Sequence, residues 1–306
     1  MVASPTVHAV VVTFNPQRDV LSAELIELSL QVQRIWVIDN ASDEPVIDWI
    51  GKLGLFAKLE LLELPDNMGV GFAQNTGIRH ARSAGATHVL LLDQDSQPRP
   101  GMLNSLLKQC LRLEATGVQV AAVAPVYADN HEGAASDFLQ LTKYGFVRKS
   151  SLSTSDVVEA DFLISSGCLM PVSVFDKIGV IDEGLFIDHV DTEWCIRAQS
   201  NGYRLFGVPA ARMIHTLGEK RTRIWFLRWR NVPYHAPFRY YYILRNSLLM
   251  QRRPYMPLKW RVAEALRCLR VLVFYGLFAP RRGECLRMML KGLWHGVRGI
   301  SGPLRS

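Results

Sequence analysis

Apolar residues in the first two thirds of the chain form short, nearly continuous runs that alternate with longer amphipathic segments. Continuous runs predict strands buried on both faces, and the amphipathic segments predict helices that cover them. The expected fold is therefore α/β, with a mostly parallel central sheet flanked by helices. Strands are predicted at 8–15, 34–42, 59–65, 88–95, 118–126, 161–170 and 203–209, and helices at 20–33, 69–85, 99–115, 171–178 and 189–202.

The pattern changes near residue 220, where the sequence becomes basic and helical. Helices are predicted at 237–252, 257–278 and 281–298, whereas 127–157 is predicted to be a polar, irregular excursion. We divide the chain into a sheet domain, residues 1–218, and a C-terminal helical extension, residues 219–306. No apolar run reaches the ~18 uncharged residues of a membrane span, and no secretory signal is expected.

Charge is distributed unevenly between these two parts. Residues 1–211 carry 15 Lys and Arg against 25 Asp and Glu, a balance of −10, whereas residues 212–306 carry 20 against 3, a balance of +17. Tryptophan and tyrosine alternate with the arginines of the extension. Such a surface suits an anionic membrane, and it also suits single-stranded nucleic acid or packing onto the sheet domain. Five cysteines without CxxC pairs indicate a reducing compartment.

Polar side chains follow four of the predicted strands, at the end where each strand stops. They are Thr13–Asn15, Asp39–Asn40, Asp93–Asp95 and Ser165–Gly167. In parallel sheets, ligands bind beyond the carboxyl ends of the strands, so these residues are expected to line one cleft. Asp93 and Asp95 face the same side of an extended chain, and paired carboxylates suit a hard divalent cation. Two solvated acids in a turn are the alternative.

A second group of polar residues lies between 182 and 215. Asp191 is placed where a helix is predicted to begin, with Asp188 and Glu193 close by in sequence. Its carboxylate either caps the helix or projects into the cleft. His215 follows a strand, and its imidazole is either structural or completes the coordination of a cation. Residues 67–77 contain glycines that allow close approach to a ligand, but they match neither GxGxxG nor a P-loop.

Seven motifs occur along the chain in the order typical of one enzyme family. They are VVTFN, VIDNAS, NMGVGFAQNTG, LLLDQD, SSGCLM, FIDHVDTEWCIRAQSNGYRL and IHTLG, spread over residues 8–218. With them the chain resembles the inverting glycosyltransferases of family 2, which implies the nucleotide-diphospho-sugar fold called GT-A. The segments LFIDHVDTEWCIRA and RYYYILRN are most similar to bacterial rhamnosyltransferases of surface-polysaccharide assembly.

The resemblance implies a nucleotide-sugar donor at the ends of the first strands. Asp39 is expected to accept hydrogen bonds from the base, and the turn after the first strand is expected to contact the nucleoside. Asn67 and the glycine turn after it are expected to shape the base and ribose pocket. The residues expected at the donor are Thr13, Phe14, Asn15, Asp39, Asn67, Gly71, Asn75 and Asp93.

The resemblance also implies a metal ion and a catalytic base. Asp93, Asp95 and His215 are expected to hold Mg²⁺ or Mn²⁺, and Asp191 matches the aspartate that takes the acceptor proton. The acid that usually precedes this base is replaced by Val190, so Asp191 is expected to act alone or with Asp188 or Glu193. The residues expected at the acceptor are Ser166, Gly167, Asp188 and Glu193.

The reaction implied is metal-dependent sugar transfer with inversion, with dTDP-L-rhamnose as the favoured donor. The acceptor is expected to be a saccharide or a lipid-diphosphate-linked saccharide in cell-surface polysaccharide assembly, such as O-antigen. The enzyme is expected to be cytoplasmic, to contact the inner face of the cell membrane peripherally through the extension, and to bind no nucleic acid.

Two other classes of protein are alternatives. A nucleotidyltransferase that makes a sugar nucleotide needs a glycine-rich loop with Arg and Lys after the first strand, and TFNPQRDV lacks one. A non-catalytic carbohydrate or nucleic-acid binding module is disfavoured because Asp93, Asp95 and Asp191 are all present.

Overall fold

The computed structural model describes residues 4–128, 137–142, 145–149, 156–215, 220–226 and 228–304, and for 145, 146, 215, 220–226 and 228–233 it describes the backbone alone. The strands are β1 Val7–Thr13, β2 Arg34–Asp39, β3 Leu59–Glu63, β4 His88–Asp93, β5 Ser96–Pro98, β6 Val120–Ala128, β7 Phe138–Thr142, β8 Gly145–Lys149, β9 Val158–Ala160, β10 Leu169–Pro171, β11 Arg204–His215, β12 Lys220–Phe226 and β13 Arg228–Tyr234. The helices are α1 Arg18–Gln31, α2 Ile47–Ile50, α3 Val70–Ser83, α4 Met102–Ala115, α5 Val174–Ile178, α6 Val190–Ser200, α7 Pro237–Gln251, α8 Leu258–Phe278 and α9 Arg282–Val297.

The central sheet has the strand order β3-β2-β1-β4-β10-β6-β11-β5, with β9 paired to β11. The pairs β3-β2, β2-β1, β1-β4 and β6-β11 are parallel, whereas β10, β5 and β9 run antiparallel to their neighbours. The predicted mostly parallel sheet is therefore confirmed. In the register, Thr13 pairs with Asp39 and Val12 pairs with Asp93, so the carboxyl ends of β1, β2 and β4 meet at one edge.

β1 is buried along its whole length, which explains why its apolar run shows no alternation. Ala9 and Val11 belong to a core cluster that includes residues of α1 and α4. Val10 and Val12 belong to a second cluster that includes residues of α3 and α6. Each face of the sheet thus has its own helical cover, as expected of a layered α/β fold.

Besides the short elements α2, β5 and β9, which were not predicted, and β11, which extends beyond the predicted 203–209, three parts of the chain differ from the sequence prediction. The strand predicted at 161–170 is a strand only at its end, Leu169–Pro171, because Gly167 adopts a φ of 84° in the turn before it. The irregular excursion contains a hairpin formed by β7 and β8. The extension begins with a second hairpin, formed by β12 and β13, before its three predicted helices.

α7 and α9 pack closely in the extension because α9 carries glycine where the two helices meet. A Cβ at Gly292 would overlap the carbonyl oxygen of Tyr241, and a Cβ at Gly296 would lie 2.8 Å from the Cβ of Leu248. Buried side chains of both helices also form a cluster that is separate from the two sheet cores. Within the described residues, no helix is both long enough and apolar enough to cross a membrane.

Candidate active site

Two cavities adjoin at the start of α6, and the first of them lies beyond the carboxyl ends of β1, β2 and β4. The first, called here the strand-end cavity, has a volume of about 500 Å³ and is lined by the ends of β1 and β4, by Asn67, Gly69 and Val70, and by residues 186–191. The second, called here the helix-side cavity, has a volume of about 630 Å³ and is lined by residues of β6, α7 and α8. Asp188, His189, Asp191 and Arg239 line both cavities, so groups at this junction can contact two ligands at once.

Asp39 lies behind the wall of the strand-end cavity and is 3% exposed. Its carboxylate accepts hydrogen bonds from Thr13 Oγ1 at 2.7 Å, from Ser42 Oγ at 2.6 Å and from the Ser42 backbone N–H at 2.8 Å. These contacts join the ends of β1 and β2. Thr13 and Asn40 line the cavity itself, with Asp39 fixed behind them.

Phe14 and Gln94 join the turn after β1 to the turn after β4. The backbone N–H of Phe14 donates to Gln94 Oε1 at 2.6 Å, and Gln94 Nε2 donates to the Phe14 carbonyl oxygen at 3.1 Å. Both residues line the strand-end cavity. Asn15 adopts a φ of 50°, bonds with Asp43 and does not line the cavity.

Asn67 and Gly69 form another part of the cavity wall. Asn67 Oδ1 accepts hydrogen bonds from Asn40 Nδ2 and from the Gly69 N–H, each at 3.1 Å. Gly69 has a φ of 87°, and a Cβ there would lie 2.6 Å from the Phe186 carbonyl oxygen. Only glycine therefore allows the segment 186–191 to close against this wall.

Gly71 and Asn75 lie farther along α3 and line neither cavity. A Cβ at Gly71 would lie 3.1 Å from the Asp182 carbonyl oxygen, so this glycine serves close packing. The buried amide of Asn75 bonds both the N–H and the carbonyl of Ile181, at 3.0 and 2.8 Å. The structure thus places both predicted donor contacts behind the site, where they hold the chain that leads to residues 186–191.

Asp93 and Asp95 both line the strand-end cavity. β4 ends at Asp93, and Gln94 and Asp95 form the turn into β5. The turn, rather than the strand alternation we predicted, therefore brings the two carboxylates to one cavity. Burial, and after it the charge of Asp95, raises the pKa of Asp93 to about 7. A divalent cation would relieve this repulsion, and oxygen donors of this kind fit Mg²⁺ or Mn²⁺.

His215 is the last residue of β11, and its backbone pairs with that of Ser96, the residue after Asp95. Strand pairing thus brings the main chain of His215 next to the carboxylate turn. Its side chain lies outside the described residues.

Asp191 lies in the first turn of α6, at the junction of the two cavities. Burial raises the pKa of its carboxyl group to about 6; the charge of Asp93 adds to this, and hydrogen bonds with Ser165 partly oppose it. Ser165 Oγ is held by Gln74 Nε2 at 2.9 Å. A carboxylate whose pKa lies near neutrality, beside two binding cavities, is suited to take a proton from a bound hydroxyl group.

The four predicted acceptor residues have different positions. Ser166 lines the helix-side cavity, and Asp188 lines both cavities while it pairs with Arg239 at 2.6 Å. Gly167 lines neither cavity and serves the turn before β10. Glu193 is fully buried away from both cavities, where it pairs with Arg197 at 2.8 Å and Arg253 at 2.9 Å.

The helical extension contributes lining residues that the strand-end motifs did not indicate. Arg239 lines both cavities, and Trp260, Glu264 and Arg267 line the helix-side cavity. Glu264 pairs with Arg267 at 2.6 Å and contacts His189 Nε2 at 3.1 Å. The sequence feature that points to this part of the site is the segment RYYYILRN, which begins at Arg239.

Comparison with known proteins matches residues 9–179 to the family described as Glycosyl transferase family 2. The chain is 31% identical over 297 residues to a protein of Shigella flexneri named dTDP-rhamnosyl transferase RfbF, and the match covers 97% of each chain.

Solved structures of glycosyltransferases have a similar fold. Residues 1–349 of S. aureus TarS in complex with UDP-GlcNAc match with a TM-score of 0.62 and 13% identity, over 96% of this chain and 81% of that one. A mannosyltransferase of Pyrobaculum calidifontis, in complex with GDP-Man and Mn²⁺, matches with a TM-score of 0.57 and 16% identity, over 99% and 77%. The fold is therefore GT-A, and the chain belongs to glycosyltransferase family 2, whose members transfer a sugar from a nucleotide-sugar donor.

Proposed function

We propose that this enzyme transfers L-rhamnose from dTDP-L-rhamnose to a saccharide acceptor, with inversion at the anomeric carbon. The observation that carries the proposal is the position of Asp191 between two cavities, with Asp93 and Asp95 on one side of it. The choice of donor rests on the similarity to the Shigella flexneri protein that is named a dTDP-rhamnosyl transferase.

In this proposal the strand-end cavity holds the donor. Thr13, Phe14 and Asn67 contact the nucleoside, and Asp39 fixes the strand ends behind them. Asp93 and Asp95 would hold Mg²⁺ or Mn²⁺, with His215 as the third ligand that the sequence predicts. The cation supplies positive charge that stabilises the diphosphate leaving group.

The helix-side cavity holds the acceptor, and Asp191 faces it from the junction. Its carboxylate takes the proton of the attacking hydroxyl group, which contributes roughly 10²–10⁴-fold to such reactions. Because donor and acceptor approach from different cavities, attack occurs on the face opposite the diphosphate, and the anomeric configuration inverts. No covalent enzyme intermediate is required.

The donor assignment is tested by hydrolysis of dTDP-L-rhamnose and UDP-glucose, with added Mg²⁺ or Mn²⁺ and with a chelator. We expect turnover of the rhamnose donor that the chelator abolishes. Turnover of UDP-glucose alone would reject dTDP-L-rhamnose as the donor. Turnover in the presence of the chelator would reject the requirement for a metal ion. NMR of a product formed on a methyl glycoside reads the anomeric configuration, and retention would reject the mechanism.

We also propose that the extension contacts an anionic membrane surface peripherally. α8 exposes a row of apolar side chains at helical spacing, α9 exposes another, and the proposal joins the two into one row. Exposed arginines flank the row, so apolar insertion and attraction to lipid phosphate act together. The row comprises Leu258, Val262, Leu266, Leu269, Val273, Leu277, Leu286, Leu290, Trp294 and Val297, and the arginines are Arg270, Arg282, Arg287 and Arg298.

Flotation with anionic and neutral vesicles tests this contact. We expect the enzyme to bind to anionic vesicles only. This binding should be weaker at high salt, because the electrostatic screening length shortens to ~3 Å at 1 M. Leu269→Glu should reduce binding, whereas Leu30→Glu, at an exposed apolar position on α1, is the matched control. Absence of the enzyme from both vesicle fractions, or equal losses in the two variants, would reject the proposed surface.

A further inference from the structure

The loop that leads into α6 has an unusual backbone. Phe186, Asp188 and His189 adopt φ angles of 66°, 63° and 62°, in the left-handed region that non-glycine residues avoid. Phe186 lies at the centre of a tight turn, in which the Ile187 N–H donates to the Leu185 carbonyl oxygen at 2.8 Å. Such conformations persist only where surrounding contacts over-determine them. The loop ends two residues before Asp191, so whatever fixes it also fixes the start of α6.

Asn246 of α7 provides the densest set of contacts to this loop. Its side chain is completely buried, and Nδ2 donates to the carbonyl oxygens of Leu185 at 2.9 Å, Ile187 at 2.8 Å and Asp188 at 2.9 Å. Because an amide has two N–H groups, at least one of them is shared between acceptors. One side chain thus holds three carbonyl groups that a regular helix or strand would not bring together.

Arg245 fixes the orientation of that amide. Its Nε and Nη2 donate to Asn246 Oδ1 at 2.9 and 2.8 Å, so Oδ1 faces the guanidinium and Nδ2 faces the loop. Nη2 also donates to the Leu185 carbonyl oxygen at 3.0 Å. The guanidinium lies 4.8 Å from the ring centre of Tyr242, and that ring stacks on Phe186.

The side chains of the loop are held from the same direction. Asp188 pairs with Arg239 of α7, and His189 Nε2 lies 3.0 Å from Ser247 Oγ and 3.1 Å from Glu264 Oε1. α7 and α8 therefore contact the backbone and the side chains of the loop.

We propose that Asn246 is a positioning residue for sugar transfer: its amide holds the strained loop and thereby fixes the Asp191 carboxylate between the two cavities. This rests on the proposed role of Asp191 as the base. It makes the helical extension part of the catalytic apparatus rather than an appended module.

Asn246→Asp tests the proposal, because it preserves shape and replaces the donating amide group with an oxygen that repels the three carbonyl oxygens. Misplacement of a catalytic group by about 1 Å can cost ~10²-fold, so we expect kcat for transfer to fall about tenfold or more. Binding of dTDP should change little, because the proposed nucleoside contacts, Thr13, Phe14 and Asn67, lie outside residues 184–191. Hydrogen exchange of backbone amides in residues 184–191 should become faster.

Tyr241→Phe is the matched control, since it removes a 2.8 Å hydrogen bond between α7 and His295 of α9 and touches no loop carbonyl. We expect it to leave kcat and the exchange of 184–191 unchanged. Asn246→Ser, which keeps one donor group, replaces the aspartate variant if that variant does not fold. A folded Asn246 variant with the wild-type kcat overturns the proposal, even if its loop exchanges faster.

Different outcomes reject the proposed function and the positioning role of Asn246. If the wild-type enzyme does not use dTDP-L-rhamnose, the donor assignment is rejected, and kcat is then measured with the donor that does turn over. If loop exchange is the same in the Asn246 variant, the Tyr241 variant and the wild type, the positioning role is rejected whatever the donor.

Discussion

The strand-end edge of the sheet and the helical extension shift the pKa values of buried carboxyl groups in opposite directions. At the edge, burial and the neighbouring charges raise the pKa values of Asp93 and Asp191 to about 7 and about 6. Burial, Asp95 and Asp93 likewise raise the pKa of Glu24 on α1. In the extension, burial tends to raise the pKa of Glu264, but hydrogen bonds from His189 and Arg267 outweigh it and hold that pKa well below its usual range.

This difference separates the groups proposed to perform the chemistry from the group proposed to support them. Carboxylates that repel one another are unfavourable in the folded protein and gain from a cation or a proton, which is typical of active sites. A carboxylate held between an arginine and a histidine is already satisfied and fixes geometry instead. The edge is therefore expected to determine the chemical step, and the extension to determine how well its groups are aligned.

The largest effect should come from the carboxylate at the junction. Asp191→Asn removes the proton acceptor and keeps its size, so we expect kcat for transfer to fall by roughly 10²–10⁴-fold while nucleotide binding persists. Steady-state kinetics and calorimetry with dTDP measure the two quantities. Asp176→Asn, at a half-exposed surface ion pair with Arg82, is the control. Parallel loss of binding and activity would show that Asp191 is structural.

The sequence predicted the edge better than the extension because edge signals are local. Asp93 and Asp95 directly follow an apolar run that is predicted to be a strand. In the structure this strand, β4, pairs with β1, and its end lies beside the end of β1. Glu193 shows where local reasoning fails: two residues along a helix turn a side chain by about 200°, so Glu193 cannot face the cavities that Asp191 faces.

The contribution of the extension depends on contacts that no local pattern encodes. Asn246 holds carbonyl groups about 60 residues earlier in the chain, and those contacts follow from how α7 packs. The hairpin of β12 and β13 was likewise missed, because its arginine and aromatic residues predict a surface rather than a strand pairing. The three helices after it were correctly predicted from their apolar periodicity.

The next effect tests the cation that the edge is expected to hold. Asp95→Ala removes one carboxylate from the strand-end cavity, and because a bound metal ion contributes several kcal/mol to such reactions, we expect activity to fall by about 100-fold. Titration with Mn²⁺ should show that the variant binds this cation more weakly than the wild type does. Asp66→Ala, an exposed acid outside the cavity, is the control and should behave like the wild type. Full activity in the Asp95 variant would exclude it from metal binding.

A smaller effect is expected where the extension is assembled. Gly292→Ala places a methyl group against the backbone of Tyr241, and overpacking of this kind costs about 1–3 kcal/mol. Gly276→Ala is the matched control, because its Cβ would meet only ordinary contacts at 3.6 Å and alanine favours a helix by up to ~1 kcal/mol. Thermal and chemical unfolding should show opposite shifts, and equal shifts would contradict the packing account.

The smallest effect concerns the charge of the edge itself. The pKa of Asp93 is raised from 3.8 to about 7, so below neutral pH a proton occupies the carboxylate that is proposed to hold the cation. Affinity for Mn²⁺ should therefore weaken as pH falls below about 7, by up to about tenfold per pH unit, and level off above it. Electron paramagnetic resonance or calorimetry between about pH 5.5 and 8 measures this slope. Asp93→Asn should bind Mn²⁺ more weakly at neutral pH and show a shallower slope, because the carboxylate whose protonation competes with the cation is gone. An affinity that stays constant down to pH 6 in the wild type would mean that Asp93 is ionised throughout, and the contrast with the paired acids of the extension would then disappear.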